Sequence, residues 1–130
     1  MFVDTSVVVA ILSGEEDAGA WSGRIEQAPS RLTSALVVLE AAMRLSTMLA
    51  VEPVVAQAAI EAFLSEAEIE IVPIGAGEAR LAGQAFSEYG KGRGHPAQLN
   101  LADCLSYACA TSRSVPLLYK GNDFSRTDLA

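Results

Sequence analysis

Four apolar runs in this 130-residue chain each enclose or lead into one carboxylate, and any fold must bring those charges to a place where they are compensated. Residues 1–9 enclose Asp4, residues 35–43 enclose Glu40, residues 101–108 enclose Asp103, and residues 117–124 place Asp123 on a turn after an apolar strand. Lys120 is the one cation these runs supply. A bound divalent metal is therefore the leading explanation.

Phe2 and Val3 read as a short buried strand, followed by an apolar helix over residues 6–12 that Ser13 and Gly14 end. Asp4 then lies at a strand's carboxyl end. Residues 15–27 suit an amphipathic helix whose acidic first turn the helix dipole favours. Residues 31–33 form a short second strand, and Thr33 or Ser34 caps a long helix reaching Ala50. Pro53 breaks the chain and opens the next helix, which runs to Ala67. Residues 69–74 carry the best alternating strand pattern. Residues 78–89 form a helix, and the basic, glycine-rich residues 90–96 read as a mobile loop. A helix over residues 100–113, a last strand over 115–119 and a turn over 121–123 complete the chain. Strands alternating with helices predict an α/β fold on a mainly parallel sheet, with ligands at the strands' carboxyl ends, where Asp4 and Asp123 fall.

A hydrophobic content of 51% and a mean hydropathy of +0.30 provide ample core for one domain. The first residues lack a basic segment and carry Asp4 inside the apolar stretch, which excludes a signal peptide or a membrane span and predicts a cytoplasmic protein. Cys104 and Cys109, five apart on a helix, lie roughly 8 Å apart, too far for a disulfide. No Cys or His partner gives them zinc-like spacing. The net charge of −7 ordinarily argues against a nucleic-acid partner. Setting aside the four site carboxylates takes −7 to −3, so acidity argues against broad non-specific binding rather than against a nucleic-acid substrate.

Each carboxylate also has a purely structural reading. Asp4 is placed to cap the helix after it, with Thr5 or Ser6 sharing the task. Asp103 is the N3 member of a capping box opened by Asn100. Glu40 sits mid-helix with no cap to serve, and its rival explanation is an i,i+4 pair with Arg44. Asp123 is a turn residue. Taken together, an oxygen-only set without His or Cys favours Mg²⁺, with Mn²⁺ as a substitute, over zinc. One or two such ions bind a phosphate oxygen, polarise phosphorus and acidify a coordinated water. Without a cation the clustered carboxylates repel, and at least one takes up a proton.

At these residues the chain resembles a PIN-domain ribonuclease, specifically a VapC-type toxin of a toxin–antitoxin pair. The resemblance rests on residues 2–7, 34–40, 89–96, 100–104 and 118–124 in that order, and so spans nearly the whole length. It implies that residues 1–130 form a single PIN-like three-layer α/β/α domain with a short, mainly parallel central sheet. It further implies that Asp4, Glu40 and Asp103 ligate Mg²⁺, that Asp123 completes the acidic pocket, and that Thr5 or Ser6 supports the first Asp. The implied substrate is single-stranded or looped RNA, and the implied partners are a second copy in a homodimer and a small antitoxin. Lys91, Arg93 and His95 are candidate RNA contacts, and Lys120 either meets the scissile phosphate or neutralises Asp123. The alternatives are a metal-dependent RNA- or partner-binding module that does not cut, and a metal phosphoesterase or DNA nuclease.

Overall fold

The first two strands are short because a helix cap follows each of them at once: Asp4 caps the helix after Val3, and Ser34 caps the helix it precedes. The computed structural model describes residues 1–130. Strand β1 (Phe2–Val3) passes directly to Asp4 and helix α1 (Thr5–Leu12), and β2 (Leu32–Ser34) passes directly to α3 (Ala35–Leu49). Helix α2 (Ala18–Gln27) lies between them. Helix α4 (Pro53–Glu66) leads to β3 (Glu70–Val72), and α5 (Ala76–Tyr89) and α6 (Leu101–Ser112) lead to β4 (Leu117–Leu118).

All four strands are parallel, in the order β3-β2-β1-β4. Phe2 pairs with both Leu32 and Leu117, which makes β1 the centre of the sheet. Successive right-handed crossovers carry the chain from β1 out to β3, after which it returns to the far side of β1. The strand order therefore reverses between β1 and β4, the point at which sheets of this kind form a crevice at the carboxyl ends. Helix α1 packs on α2 and α3, and α3 on α4, whereas α5 packs on α6. The result is an α/β/α arrangement, and α6 also lies against β1, β2 and β4. Phe2, Val3, Val7, Val8 and Leu118 are among the fully buried side chains at its centre.

Three elements differ from the sequence expectation. The second helix begins at Ala18 rather than Glu15. Gly14 turns the chain at a φ of +73°, and the carboxylates of Glu15 and Asp17 reach across to Lys120 instead of capping a helix. The third strand keeps only Glu70–Val72. Glu68, at a φ of +55°, breaks the alternation before it, Pro73 offers no N–H after it, and Ile71 and Ile74 are left exposed on the sheet edge. The segment 90–96 is not loose. Gly90 bridges Leu99, the Lys91 backbone amide donates to the Leu99 carbonyl, and the Gln98 side-chain Nε2 donates to the His95 carbonyl at 2.6 Å. A Cβ at Gly90 would fall 2.3 Å from the Phe86 carbonyl oxygen, so only glycine permits this closure. As expected, Cys104 and Cys109 are free thiols, and both are buried.

The Arg31 guanidinium joins two helix ends, donating to the carbonyls of Glu26 in the last turn of α2, of Ala28 at its C-cap, and of Ala67 at the C-cap of α4. Cationic donors satisfy carbonyls that a helix end leaves unpaired. Arg31→Ala is expected to lower the unfolding free energy by about 2 kcal/mol, measured by urea denaturation.

Candidate active site

The sheet topology gathers helix N-termini at one edge. Helices α1 and α3 start at the carboxyl ends of β1 and β2, and α6 must run antiparallel to the strands because β4 follows it. Their N-terminal turns therefore face the same crevice. Partial positive charge there favours acidic side chains, and Asp4, Glu40 and Asp103 sit on these first turns or just beyond them.

Asp4 is buried and caps α1. Its Oδ2 accepts from the Ser6 amide at 3.1 Å and from the Ser6 hydroxyl at 2.7 Å. The Ser6 hydroxyl in turn accepts from the Lys120 amide at 2.9 Å, which ties the segment after β4 to the end of β1. No protein donor reaches Asp4 Oδ1. Of the two residues expected to support Asp4, Ser6 makes the bonds, while Thr5 is buried without bonding it. On the neighbouring strand the Thr33 hydroxyl donates to the Val3 carbonyl at 3.0 Å, and Ser34 caps α3.

Glu40 is half-buried on α3 and makes no ion pair with Arg44, because the chain's ion pairs lie elsewhere. Asp103 forms the anticipated capping box. Asn100 Oδ1 accepts from the Asp103 amide at 2.9 Å, and Asp103 Oδ2 accepts from the Asn100 amide at 3.1 Å. Capping does not exhaust its environment. Burial lifts the Asp103 pKa from the ordinary 3.8 to about 7; the Asn100 amide opposes that rise, and the charges of Asp123, Asp4 and Glu40 add to it. Four carboxylates 119 positions apart at their extremes thus share one electrostatic environment.

The four are grouped without being clenched. No three His, Cys, Asp or Glu side chains lie close enough together to hold a metal ion between them as they stand. An open, oxygen-only set fits Mg²⁺, which keeps several of its waters and needs few protein ligands, and does not fit zinc. The nearest groove, about 440 Å³, opens from Glu40 and Asn100 and runs past Leu36, Met43 and Arg44. The acidic site is an accessible edge rather than an enclosed chamber.

The basic candidates are placed differently. The Lys120 ammonium is paired with Glu15, and with Asp17 at 3.0 Å, so it does not neutralise Asp123. Lys120 serves the site through its backbone amide. His95 is turned into its own loop, with Nδ1 accepting from the Ala97 amide at 3.0 Å and the ring edge-on to Tyr89 at 4.9 Å. Lys91 and Arg93 are exposed and free of ion pairs. Two residues outside the sequence expectations, Tyr107 and Asp128, join α6 to the C-terminal segment by a 2.6 Å hydrogen bond. The available signal was Tyr107 itself, a phenol in an apolar helix that needs a partner when buried.

Known proteins sharpen this picture. The PIN domain family profile matches residues 1–129. This chain belongs to the PIN domain family. The PIN domain here is 44% identical over 127 residues to VapC ribonuclease Mb0625 of Mycobacterium bovis and to ribonuclease VapC28 of Mycobacterium tuberculosis, covering 98% of this chain and 93% of each relative. Ribonuclease VapC42 of M. tuberculosis is 40% identical over 131 residues, covering 99% of this chain and 96% of that protein. Among solved structures, M. tuberculosis VapC20, described as a sarcin-ricin loop cleaving toxin, superposes with a TM-score of 0.73 at 19% identity, covering 95% of this chain and 92% of that one. That likeness concerns the fold.

The Asp103 shift predicts a pH dependence. Native Asp103 holds a proton that the unfolded chain has released, so its stabilising contribution is complete below the unfolded pKa and is lost as pH rises through about 7. Metal-free protein should therefore melt at a lower temperature at pH 8 than at pH 5.5. Asp103→Asn keeps an oxygen for the Asn100 amide and should narrow that difference, as read by calorimetry.

Proposed function

We propose that this PIN domain is a Mg²⁺-dependent endoribonuclease and the toxin of a toxin–antitoxin module. The observation that carries the reading is the half-buried Asp103, with Asp123, Asp4 and Glu40 acting on it at the strand-order reversal. The relatives at 40–44% identity, named VapC ribonucleases, support the same reading. Asp4, Glu40, Asp103 and Asp123 would hold Mg²⁺, with Mn²⁺ as a substitute. When bound, the ion supplies Lewis acidity toward a phosphodiester oxygen and acidifies water.

The protein's own part is positional. Ser6 fixes one oxygen of Asp4 and leaves the other free for a ligand. Asn100 orients Asp103 through paired backbone bonds, and Asp103 must give up its proton when a cation arrives, so cation affinity rises with pH through about 7. Lys91 and Arg93, on a loop that closes at Leu99 just before α6, offer charge to RNA phosphates alongside the site. An open edge suits a polymer that extends beyond the reacting bond. No helix is long and apolar enough to cross a membrane.

A homodimer and an antitoxin belong to the same reading. Leu101 is 75% exposed between two apolar grooves, and Met43 and Phe86 beside it are 60% and 42% exposed. Such a patch is suited to burial against protein. Leu101→Gln is expected to shift the mass in light scattering from two chains toward one.

The deciding experiment incubates purified protein with total RNA in Mg²⁺, beside Asp103→Asn and a single-stranded DNA control, and maps new ends by sequencing. Discrete RNA cuts absent from the variant and from EDTA-treated protein are expected. RNA that is bound but never cut would move the assignment to a binding module, and equal cutting of DNA would move it to a broader nuclease. Lys91→Ala with Arg93→Ala should raise KM several-fold with little change in kcat, because phosphate contacts remote from the reacting bond contribute uniform binding.

A further inference from the structure

The C-terminal segment is tied down at two levels. At the upper level the Lys120 amide donates to the Ser6 hydroxyl at 2.9 Å, three residues before Asp123. At the lower level the Tyr107 hydroxyl donates to Asp128 Oδ1 at 2.6 Å, and the Tyr89 hydroxyl approaches the same oxygen at 3.4 Å.

The lower bond is strong and persistent. An O–H donor on a carboxylate at this distance is charge-assisted. Burial, followed by the bond to Asp128, raises the Tyr107 pKa above its ordinary value, so the phenol keeps its proton. Tyr89 and Tyr107 are both buried, and their rings lie 5.8 Å apart. Between Asp123 and Asp128 the chain is wound into tight turns. The Ser125 amide and hydroxyl donate to the Asn122 carbonyl, and the Thr127 amide and hydroxyl donate to the Phe124 carbonyl. Phe124 is fully buried edge-on to Tyr119, but one anchored ring does not fix the direction in which the neighbouring Asp123 points. A short stiff segment held at both ends does.

We propose that Asp128, through its bond to the Tyr107 hydroxyl, is a positioning residue that fixes the turn carrying Asp123 against α6. The same carboxylate reaches Tyr89, the residue preceding the closed basic loop, so α6, the loop base and the post-β4 turn are referenced to one point. The inference rests on the metal-site reading above but concerns residues outside the quartet.

The test compares Tyr107→Phe, Asp128→Ala, their double variant and Asp128→Asn with wild type. Amide exchange over residues 120–126 is measured without metal, Mn²⁺ affinity by electron paramagnetic resonance, and RNA cleavage where wild type cuts. The first two variants should exchange faster over 120–126 and bind Mn²⁺ about tenfold more weakly, a size typical of lost outer contacts. KM for RNA should stay within about twofold, since the loss falls on the acidic site rather than on uniform RNA binding. The double variant should be no worse than either single one, because both remove the same bond. Asp128→Asn, which retains an acceptor, should recover most of the affinity. Arg31→Ala is the control for lost stability alone and should leave Mn²⁺ affinity unchanged. Folded Asp128→Ala that exchanges and binds Mn²⁺ as wild type does would overturn the proposal. If wild type cuts no RNA, the assigned activity fails, while exchange over 120–126 still decides the positioning role.

Discussion

Like charge concentrated at one edge of the sheet is the constraint to which the surrounding structure answers. Four carboxylates of one sign cannot share a partly buried site without compensation, and the fold supplies it in several small ways. Three helix N-termini face the crevice, Ser6 and Asn100 donate hydrogen bonds to two of the acids, and the edge stays open to water. Compensation is incomplete: burial first, and the charges of Asp123, Asp4 and Glu40 behind it, lift the Asp103 pKa to about 7. The remaining deficit is of the kind that a divalent cation would remove.

Much of this was legible in the sequence. Asp4, Glu40, Asp103 and Asp123 each stand out as a charge in or beside an apolar run, and the alternation of strands with helices puts two of them at carboxyl ends. The capping box of Asn100 and Asp103 was legible because it depends on residues three apart. The α/β layering followed from the order of elements, and the PIN domain profile agrees with it.

What was not legible depends on long-range partners. Lys120 is two residues from Asn122 and looked like a natural neutraliser of Asp123, yet its ammonium is drawn to Glu15 and Asp17, more than a hundred positions away. Nothing local announces that pairing. The glycines of residues 90–96 suggested looseness, but Gly90 is required for a close approach to Phe86, and Gln98 and Leu99, outside the basic stretch, close the loop. Residues 69–74 alternated convincingly on paper, and the left-handed Glu68 and imino Pro73 cut the strand to three residues. Arg31 carries no pattern of its own, because its carbonyl partners belong to two helices that only the tertiary fold brings together.

The pairing of β1 with β4 has a temporal meaning. The central strand begins at Phe2, while the strand that completes its hydrogen bonds and delivers Asp123 begins at Leu117. During synthesis Asp4, Glu40 and Asp103 all emerge before the segment that orders the crevice, and contacts of such long sequence separation form late because loop closure must come first. A growing chain therefore carries Asp4 for more than a hundred residues of synthesis, and Glu40 and Asp103 for shorter stretches, before β4 can pair with β1 and bring Asp123 alongside.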